Sequence, residues 1–423
     1  MKVLIVGATG FIGSRLAAAF AARHEVTCAS RGQELPRTCA RHLTLDYASM
    51  PDPHALGRLV SGHQVVINAV GILRESGRQK FQELHDTGPR ALFAACAAAG
   101  VGRVIQISAL GADAHALARY HRSKHEADRF LMSLPVDWAV VQPSLVYGSG
   151  GGSAGLFDRL AALPVTPLPV GGHQRVQPVH VDDLVAVILA LAESPVPVRQ
   201  VVAVAGPRPL SLREFLTELR AAFGRAPVRT FSVPGFVMRA IAKLGDRLPR
   251  AKLDSETLGM LERGSVANPA ETARWSGHPP RPVAAFIAPQ DREARWSAAT
   301  LSWWLPLARV AVAFMWFIAA IVSAGPYPVE ASIQLLRDIG ASASLAPLLL
   351  VGAISIDLAF GVLTLLPRRV RWLWPLQIAV VCIYTAILSW RLPELWLEPF
   401  GPVAKNIPIL ILLLLLWQLE KRR

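Results

Sequence analysis

Val3-Leu-Ile-Val-Gly7-Ala-Thr-Gly10-Phe-Ile-Gly13 decides how the first half of the chain is read. The β-branched and leucine residues predict a buried strand, and three glycines then turn the chain into an Ala-rich helix over Ser14 to Ala22. Gly7 has no side chain to oppose a tight turn, Gly10 lets a pyrophosphate reach the backbone, and Gly13 lets the helix close on the strand. A helix N-terminus with free N–H groups and the positive end of its dipole suits phosphate. Thr9, Phe11 and Ile12 lie between these glycines and join them as candidate dinucleotide-binding residues. An ordinary strand–turn–helix shares part of the pattern. Here the strand begins at residue 2 and the helix follows at once, which is the context the motif requires.

Working outward, Glu25 to Arg31 reads as a second strand that ends without the acid that would hold a ribose 2′-hydroxyl. Ser30-Arg31 stands there instead, and an arginine suits a 2′-phosphate, so NADP(H) is favoured over NAD(H). A third strand, His42 to Asp46, ends in an acid placed to sit beside the adenine. A fourth, Gln64 to Gly71, ends in small residues, with Ala69 and Val70 suited to line a cofactor cleft. A helix over Thr87 to Ala99 and a fifth strand, Val101 to Ser108, continue the alternation. Such alternation implies a doubly wound parallel sheet with its ligand at the carboxyl ends of the strands.

Tyr120-His-Arg-Ser-Lys124 sets a phenol and an ammonium four residues apart on one helix face. The lysine is expected to lower the phenol's pKa, making Tyr120 a usable acid/base, and to hold the nicotinamide ribose. Ser108, at a strand end, is placed to hydrogen-bond a substrate carbonyl.

These pieces resemble the short-chain dehydrogenase/reductase superfamily, in its extended or atypical, epimerase-like branch. The resemblance covers roughly residues 1–225 and rests on Gly7 to Gly13, Tyr120 with Lys124, Gln142-Pro-Ser-Leu-Val-Tyr147-Gly148 and Gln177-Pro-Val-His-Val-Asp182-Asp183. It implies a Rossmann fold, a nicotinamide cofactor, a tyrosine acid/base, a ribose-orienting lysine and Pro143 against the cofactor. By sub-branch it looks most like proteins related to the 39-kDa accessory subunit of respiratory complex I, which hold NADPH tightly. His85 stands where the family often has asparagine, and Gln142 where it often has arginine. A segment that closes over substrate in the family makes Tyr147, Phe157, Arg175 and His180 candidate substrate residues, with the glycine-rich run 148–155 as lid or plain connection. Asp182-Asp183 is expected to cap a helix rather than bind metal, and no metal is implied.

Val233 to Leu248 is apolar with spaced Arg239, Lys243 and Arg247, which reads as a basic amphipathic helix that lies on a membrane surface or packs on the domain, the apolar stretches that follow favouring the membrane. Residues 268–300, rich in Pro, Ala and Arg, read as a linker. From Trp303 the composition changes. Leu305–Gly325, Leu345–Leu366, Trp372–Trp390 and Pro402–Leu419 approach the ~20 apolar residues needed to span hydrocarbon. Arginines at 368, 369 and 371 and Lys421-Arg-Arg423 put both termini in the cytoplasm by the positive-inside rule. Arg309 lies four residues into span one and Asp357 nine into span two from the same side, a depth difference of roughly 7 Å that an arginine side chain can bridge, and the two are expected to pair. Residues 303–420 resemble the DoxX-like membrane domain through Asp357-Leu-Ala-Phe-Gly361 and Pro393 to Pro402. Relatives of that name are linked to quinone or sulfur redox chemistry.

The composition fits this division. Of 423 residues 52% are apolar, and the mean hydropathy of +0.37 is high for a soluble protein. A formal charge of +14 suits an anionic membrane surface; no basic run with interleaved aromatics suggests nucleic acid. The four cysteines form no CxxC pair and are expected as thiols in a reducing compartment. The expected domains are 1–228 (nucleotide-binding α/β), 229–300 (amphipathic helix and linker) and 301–423 (all-α, four transmembrane helices in an inner membrane). The expected activity is an NAD(P)H-dependent dehydrogenase or reductase on a carbonyl or alcohol, its substrate small or lipid-soluble. Epimerisation is the enzymatic alternative. A non-catalytic NADPH-binding partner of a membrane redox complex is the alternative of another class.

Overall fold

The computed structural model describes the chain apart from residues 33–37, 50–51, 78, 249–250, 252, 367–369, 371, 400 and 422–423. Strand β1 (Lys2–Val6) lies between β2 (Glu25–Ser30) and β4 (Val65–Asn68) in a parallel sheet. Beyond them come β3 (Arg41–Thr44) on one side and β5 (Arg103–Ile107), β6 (Asp137–Pro143) and β7 (Gln200–Val204) on the other. The order is β7-β6-β5-β4-β1-β2-β3, so the winding reverses between β1 and β4. Ligands bind at the carboxyl ends beside such a reversal.

Alternation along β1 feeds two cores. Val3 and Ile5 pack with α1 (Phe11–Ala21) and α6 (Val181–Glu193) on one face. Leu4 and Val6 pack with α2 (Pro53–Val60), α3 (Gly88–Ala98) and α4 (Arg119–Ser133) on the other. A third core joins α5 (Gly152–Ala162) and α7 (Leu212–Ala222) to Tyr147, Val283, Phe286 and Ile287. The chain then forms α8 (Gly235–Arg247), α9 (Ser255–Arg263) and α10 (Pro269–Ser276). Residues 268–300 are therefore folded where composition reads a linker. Thr272 Oγ1 bonds both the N–H and the C=O of Ala205 at 2.9 Å, and three apolar side chains from 283–287 are buried.

Three expectations are corrected in this unit. Cys28 and Cys39 form a disulfide, Cα–Cα 5.9 Å, and are not thiols. Ala40 N bonds Val26 O, so the approach to β3 runs beside β2 and brings the two cysteines together. Asp182 and Asp183 do not cap α6, since His180 holds the cap position. The pair instead binds Arg281, at 2.7 Å and 3.1 Å. The glycine-rich run is partly helix, because α5 begins at Gly152, and Gly148 and Gly151 lie against the Phe11 ring.

Two compact units divide the chain, Met1–Ala299 and Thr300–Arg423. The second takes most of α11 (Arg292–Ala324), then α12 (Val329–Asp338), α13 (Ala346–Leu365), α14 (Leu373–Arg391) and α15 (Asn406–Lys421). Helices α11, α13 and α14 are long and apolar enough to cross a membrane; α15 is apolar but shorter. The expected Arg309–Asp357 pair is not formed. Arg309 pairs with Glu420 at 2.8 Å and donates to the Thr364 carbonyl at 2.6 Å. Trp374 Nε1 holds the other Glu420 oxygen at 2.8 Å. Asp357 is buried, and its Oδ1 has no partner among the described residues. The arginines at 368, 369, 371, 422 and 423, on which the orientation argument leans, lie outside the described residues.

Candidate functional site

The turn after β1 has the form its glycines predict. Gly7 sits at φ +83° with its α-carbon against the Ala69–Val70 backbone; an added Cβ would lie 2.9 Å from Ala69 C and Val70 N. A Cβ on Gly13 would lie 2.1 Å from Gly7 O, so only glycine lets α1 start this close to β1. Gly10 is the N-cap of α1 with no side-chain cap, which leaves the first N–H groups of the helix facing out beside the exposed Thr9. An anion-binding cradle lined by backbone alone fits a pyrophosphate. Phe11 and Arg15 tie this turn to the loop beyond β6: Arg15 lies 4.8 Å over the Phe11 ring and donates to Ser149 O. Ile12 packs inward on the core.

At the far end of β2, Ser30 Oγ bonds His42 Nε2 at 2.8 Å, a partner the sequence reading missed. Arg31 is exposed, and the Gln79 amide oxygen, turned toward it, accepts from its guanidinium at 3.2 Å. Asp46 accepts from Ala48 N at 3.1 Å and so closes its own turn.

The candidate chemical centre lies where β4 and β5 end and α4 begins. Lys124 is 3% exposed and donates to Val70 O at 3.1 Å and Ile107 O at 2.9 Å. Burial pushes its pKa down, opposed by Asp128. Ser108 donates to Asp128, one turn after Lys124 on α4, so its hydroxyl is engaged within the wall. Burial pushes the Asp128 carboxyl up, against Ser108 and Lys124. Tyr120 is 9% exposed, edge-on to Phe81, His85 and His121 at 6.0, 5.3 and 5.2 Å. The expected lowering of its pKa is reversed: burial, with Asp128 behind it, raises the phenol to about 12. Lys124 spends its hydrogen bonds on two carbonyls, so desolvation dominates at the phenol.

His85 is the residue that sequence reasoning noted only as a departure. It is fully buried on a π-helical turn, Gln82–Thr87, of a kind that often marks functional sites. Ile72 N donates to its Nε2 at 3.0 Å, so Nδ1 carries the proton and gives it to Ser123 Oγ at 3.1 Å. Ser123 in turn donates to Tyr120 O at 2.9 Å. Burial, with Lys124 second, lowers His85 to about 2 and keeps it neutral. The spacing that could have revealed this ring is Ser123, one turn from Tyr120, beside the Tyr120–Lys124 pair.

The substrate candidates do not gather around Tyr120. Tyr147 is 1% exposed, stacks on Phe286 at 5.1 Å and donates to Asp158 at 2.5 Å, with Arg295 on both. It belongs to the third core, as does the side of Phe157 that meets Phe215 at 5.0 Å. Arg175 is exposed on a two-residue strand, and His180 Nδ1 caps α6 beside Arg281 at 3.2 Å. Pro143 ends β6, its carbonyl held by Leu110 N at 2.9 Å, and the Gln142 amide donates to Ala112 O at 3.2 Å. Around Tyr120 stand instead Phe81, Ile72 and, from α9, Met260. Glu256 of α9 also accepts from Tyr120 N at 2.8 Å.

Residues 7–159 match the NAD(P)H-binding family and residues 313–414 the DoxX-like family. The chain is 30% identical over 206 residues to a ceramide reductase of Caulobacter vibrioides, covering 46% of this chain and 62% of that one. It is 31% identical over 225 residues to a 3-diazoavenalumate denitrifying reductase of a Streptomyces species, 46% of this chain and 73% of that one. It is 28% identical over 197 residues to the mouse NADH dehydrogenase (ubiquinone) 1 alpha subcomplex subunit 9, covering 46% of this chain and 51% of that one. The chain thus spans about half to three fifths of the ceramide reductase and the mouse subunit. Among solved structures, a Staphylococcus aureus nucleoside-diphosphate-sugar epimerase superposes with TM-score 0.56 at 16% identity, over 68% of this chain and 99% of that one. A human epimerase family protein solved with NADPH gives 0.52 at 20% identity, over 71% and 99%. A Bacillus cereus UDP-glucuronic acid 4-epimerase solved with NAD gives 0.52 at 16%, over 72% and 100%. The α/β unit belongs to the NAD(P)-binding, epimerase-like short-chain dehydrogenase/reductases, related to the complex I 39-kDa subunit, and a DoxX-like domain follows it in the same chain.

Proposed function

We propose that the chain is a membrane-anchored NAD(P)H-dependent reductase in which Tyr120 protonates the carbonyl of an amphiphilic or quinone-like molecule. The observation that carries the reading is Lys124, buried one turn from Tyr120 and fixed to the carbonyls of Val70, two residues past β4, and Ile107, which ends β5. Residues 7–13, Arg31, Ala69 and Val70 would hold the nucleotide, which when bound supplies the hydride. A phenol raised to about 12 is protonated at neutral pH, so its first act is to donate, which suits reduction. The charge of Lys124 offsets the phenolate left behind. For Ser108 to orient the carbonyl, its proton has to swing from Asp128 to the substrate. The upward shift of Asp128 favours that exchange, since a protonated carboxyl is the weaker acceptor. Similarity to a ceramide reductase favours an amphiphilic substrate over a sugar nucleotide. The apolar helices α11, α13, α14 and α15 would make four crossings of an inner membrane, with both termini cytoplasmic.

The test is to purify the full chain, identify its bound nucleotide, and offer long-chain ketones, quinones and sugar nucleotides as oxidants. Tyr120→Phe should then lower turnover by roughly 10²–10⁴ with nucleotide retained. Arg31→Ala should weaken NADP(H) by about 10- to 150-fold and NAD(H) far less, if the guanidinium reads a 2′-phosphate. A second reading has a specific observation behind it. The rings that leave Tyr120 9% exposed suit a held, inert NADPH, as does similarity to a complex I subunit. Bound nucleotide that no carbonyl oxidises would replace the reductase by a nucleotide-stabilised partner of a membrane redox complex.

A further inference from the structure

Helix α8 is anchored on one side only. Its inner side carries Ala242 and Gly245, and Gly245 sits so near the Leu253 carbonyl that a Cβ would be 2.0 Å from it. Arg74 fastens this end by donating to Gly245 O and Ala251 O at 2.7 Å each and pairing with Asp254 at 3.3 Å. The outer side forms two neighbouring ridges of residues four apart. One is Phe236, Ala240, Leu244 and Leu248, with its large members 69%, 58% and 51% exposed; the other is the exposed Arg239, Lys243 and Arg247. Ile241 and, on the preceding strand, Phe231 widen the apolar side. Single exposed leucines are ordinary, but a contiguous apolar ridge bordered by cations is what the interface of a bilayer selects. Lysine and arginine stems reach from that depth to headgroup phosphates.

We propose that this side of α8 docks on the surface of an anionic lipid bilayer. The cationic ridge is the argument for lipid over protein. Three positive charges on one row match anionic headgroups, while Asp246, the acid of α8, is taken up by Ser255 of α9 at 2.9 and 2.7 Å, and the chain carries helices able to cross a membrane, so a bilayer is at hand. The docked helix is one element away from Tyr120, since α9, which packs on α8, supplies Glu256 and Met260 to that residue.

The test uses the full chain in vesicles of phosphatidylcholine alone or mixed with phosphatidylglycerol, with the exposed Cys382 replaced by serine. Spin labels at Phe236→Cys and Leu244→Cys should meet dissolved oxygen readily and collide with a water-soluble nickel complex several-fold less than a label at Leu117→Cys. The triple change Arg239→Glu, Lys243→Glu, Arg247→Glu should return both labels to water. In the unlabelled protein, amide exchange over 236–248 should slow in the anionic vesicles and not in the neutral ones, a readout that needs no variant. Labels as open to nickel as the one at 117, or unchanged exchange, overturn the proposal. So do labels shielded from both reagents, which would mean that protein, a second copy or the same chain, covers the face.

Discussion

In the α/β unit Leu4, Ile5 and Ile67 are fully buried and the charged residues mostly line the outside, while in the helical unit the pattern turns over. There Phe314, Leu348 and Val351 are 64%, 69% and 62% exposed, and Gln377, Thr364 and Asp357 are buried. Trp316 Nε1 donates to Gln377 at 2.7 Å, and Gln377 donates to Thr364 at 3.1 Å, so much of the polar hydrogen bonding runs through the middle of the bundle. One chain obeys two burial rules because its halves answer to different solvents. Apolar surface is expelled by water and tolerated by lipid, and in lipid every polar group has to find a partner inside.

The comparison breaks most visibly at Arg309. Replacing it with leucine leaves the half-buried Glu420 carboxylate to Trp374 and should cost about 3 kcal/mol, the low end for removing one partner of a buried pair. The double change Arg309→Leu, Glu420→Gln should recover much of that in thermal melts of the reconstituted protein. A double variant as damaged as the single would mean that the pair contributes little. Next in size, arginine at Phe314 should cost about 2.5–3.5 kcal/mol, as for a charge at the centre of a lipid-facing helix. The same change at Leu117, 93% exposed in the α/β unit, should stay within about 0.5 kcal/mol. Equal costs at the two sites would collapse the distinction between solvents.

The effect that is smallest per step is read against pH. His85 and His121 are lowered to about 2 and about 4 by burial, so both are neutral when folded below the ordinary value near ~6.5. The unfolded chain then binds protons that the folded one refuses, and stability falls as pH drops below ~6.5. Each buried imidazole contributes up to about 1.4 kcal/mol per pH unit to that fall. His85→Gln should flatten the slope of melting temperature between neutral pH and pH ~4. An unchanged slope would place the acid sensitivity elsewhere.

The succession of β1 to β5 and the turn at Gly7 to Gly13 were legible because both depend on local rules, alternation and the absence of a Cβ; β6 was not read. Tyr120 and Lys124 were legible by helical spacing, and Asp128, four residues further, could have been added by the same rule. What failed was long-range choice of partner. Arg309 was matched by depth to Asp357, yet Glu420 takes it from 111 residues away. Asp182 and Asp183 were read as a local cap, and Arg281, 99 and 98 residues on, holds them. Cys28 and Cys39 carry no spacing signal, since only the run of the chain along β2 brings them together. The phenol's pKa was misjudged because pairing was visible in the sequence and desolvation was not.

The π turn ahead of α3 makes the floor of the site depend on chain length. Gly88 N bonds Glu83 O across five residues, and Gly88 itself has to be glycine, because a Cβ would lie 2.5 Å from the Tyr47 ring. An α-helix of the same span needs one residue fewer. A single-codon deletion within 82–87 would therefore yield a more regular helix, while swinging His85 by about 100° around the axis and away from Ile72 and Ser123. Regularity of the helix and the aim of the imidazole are alternatives at this length of chain, and the extra residue sets the aim.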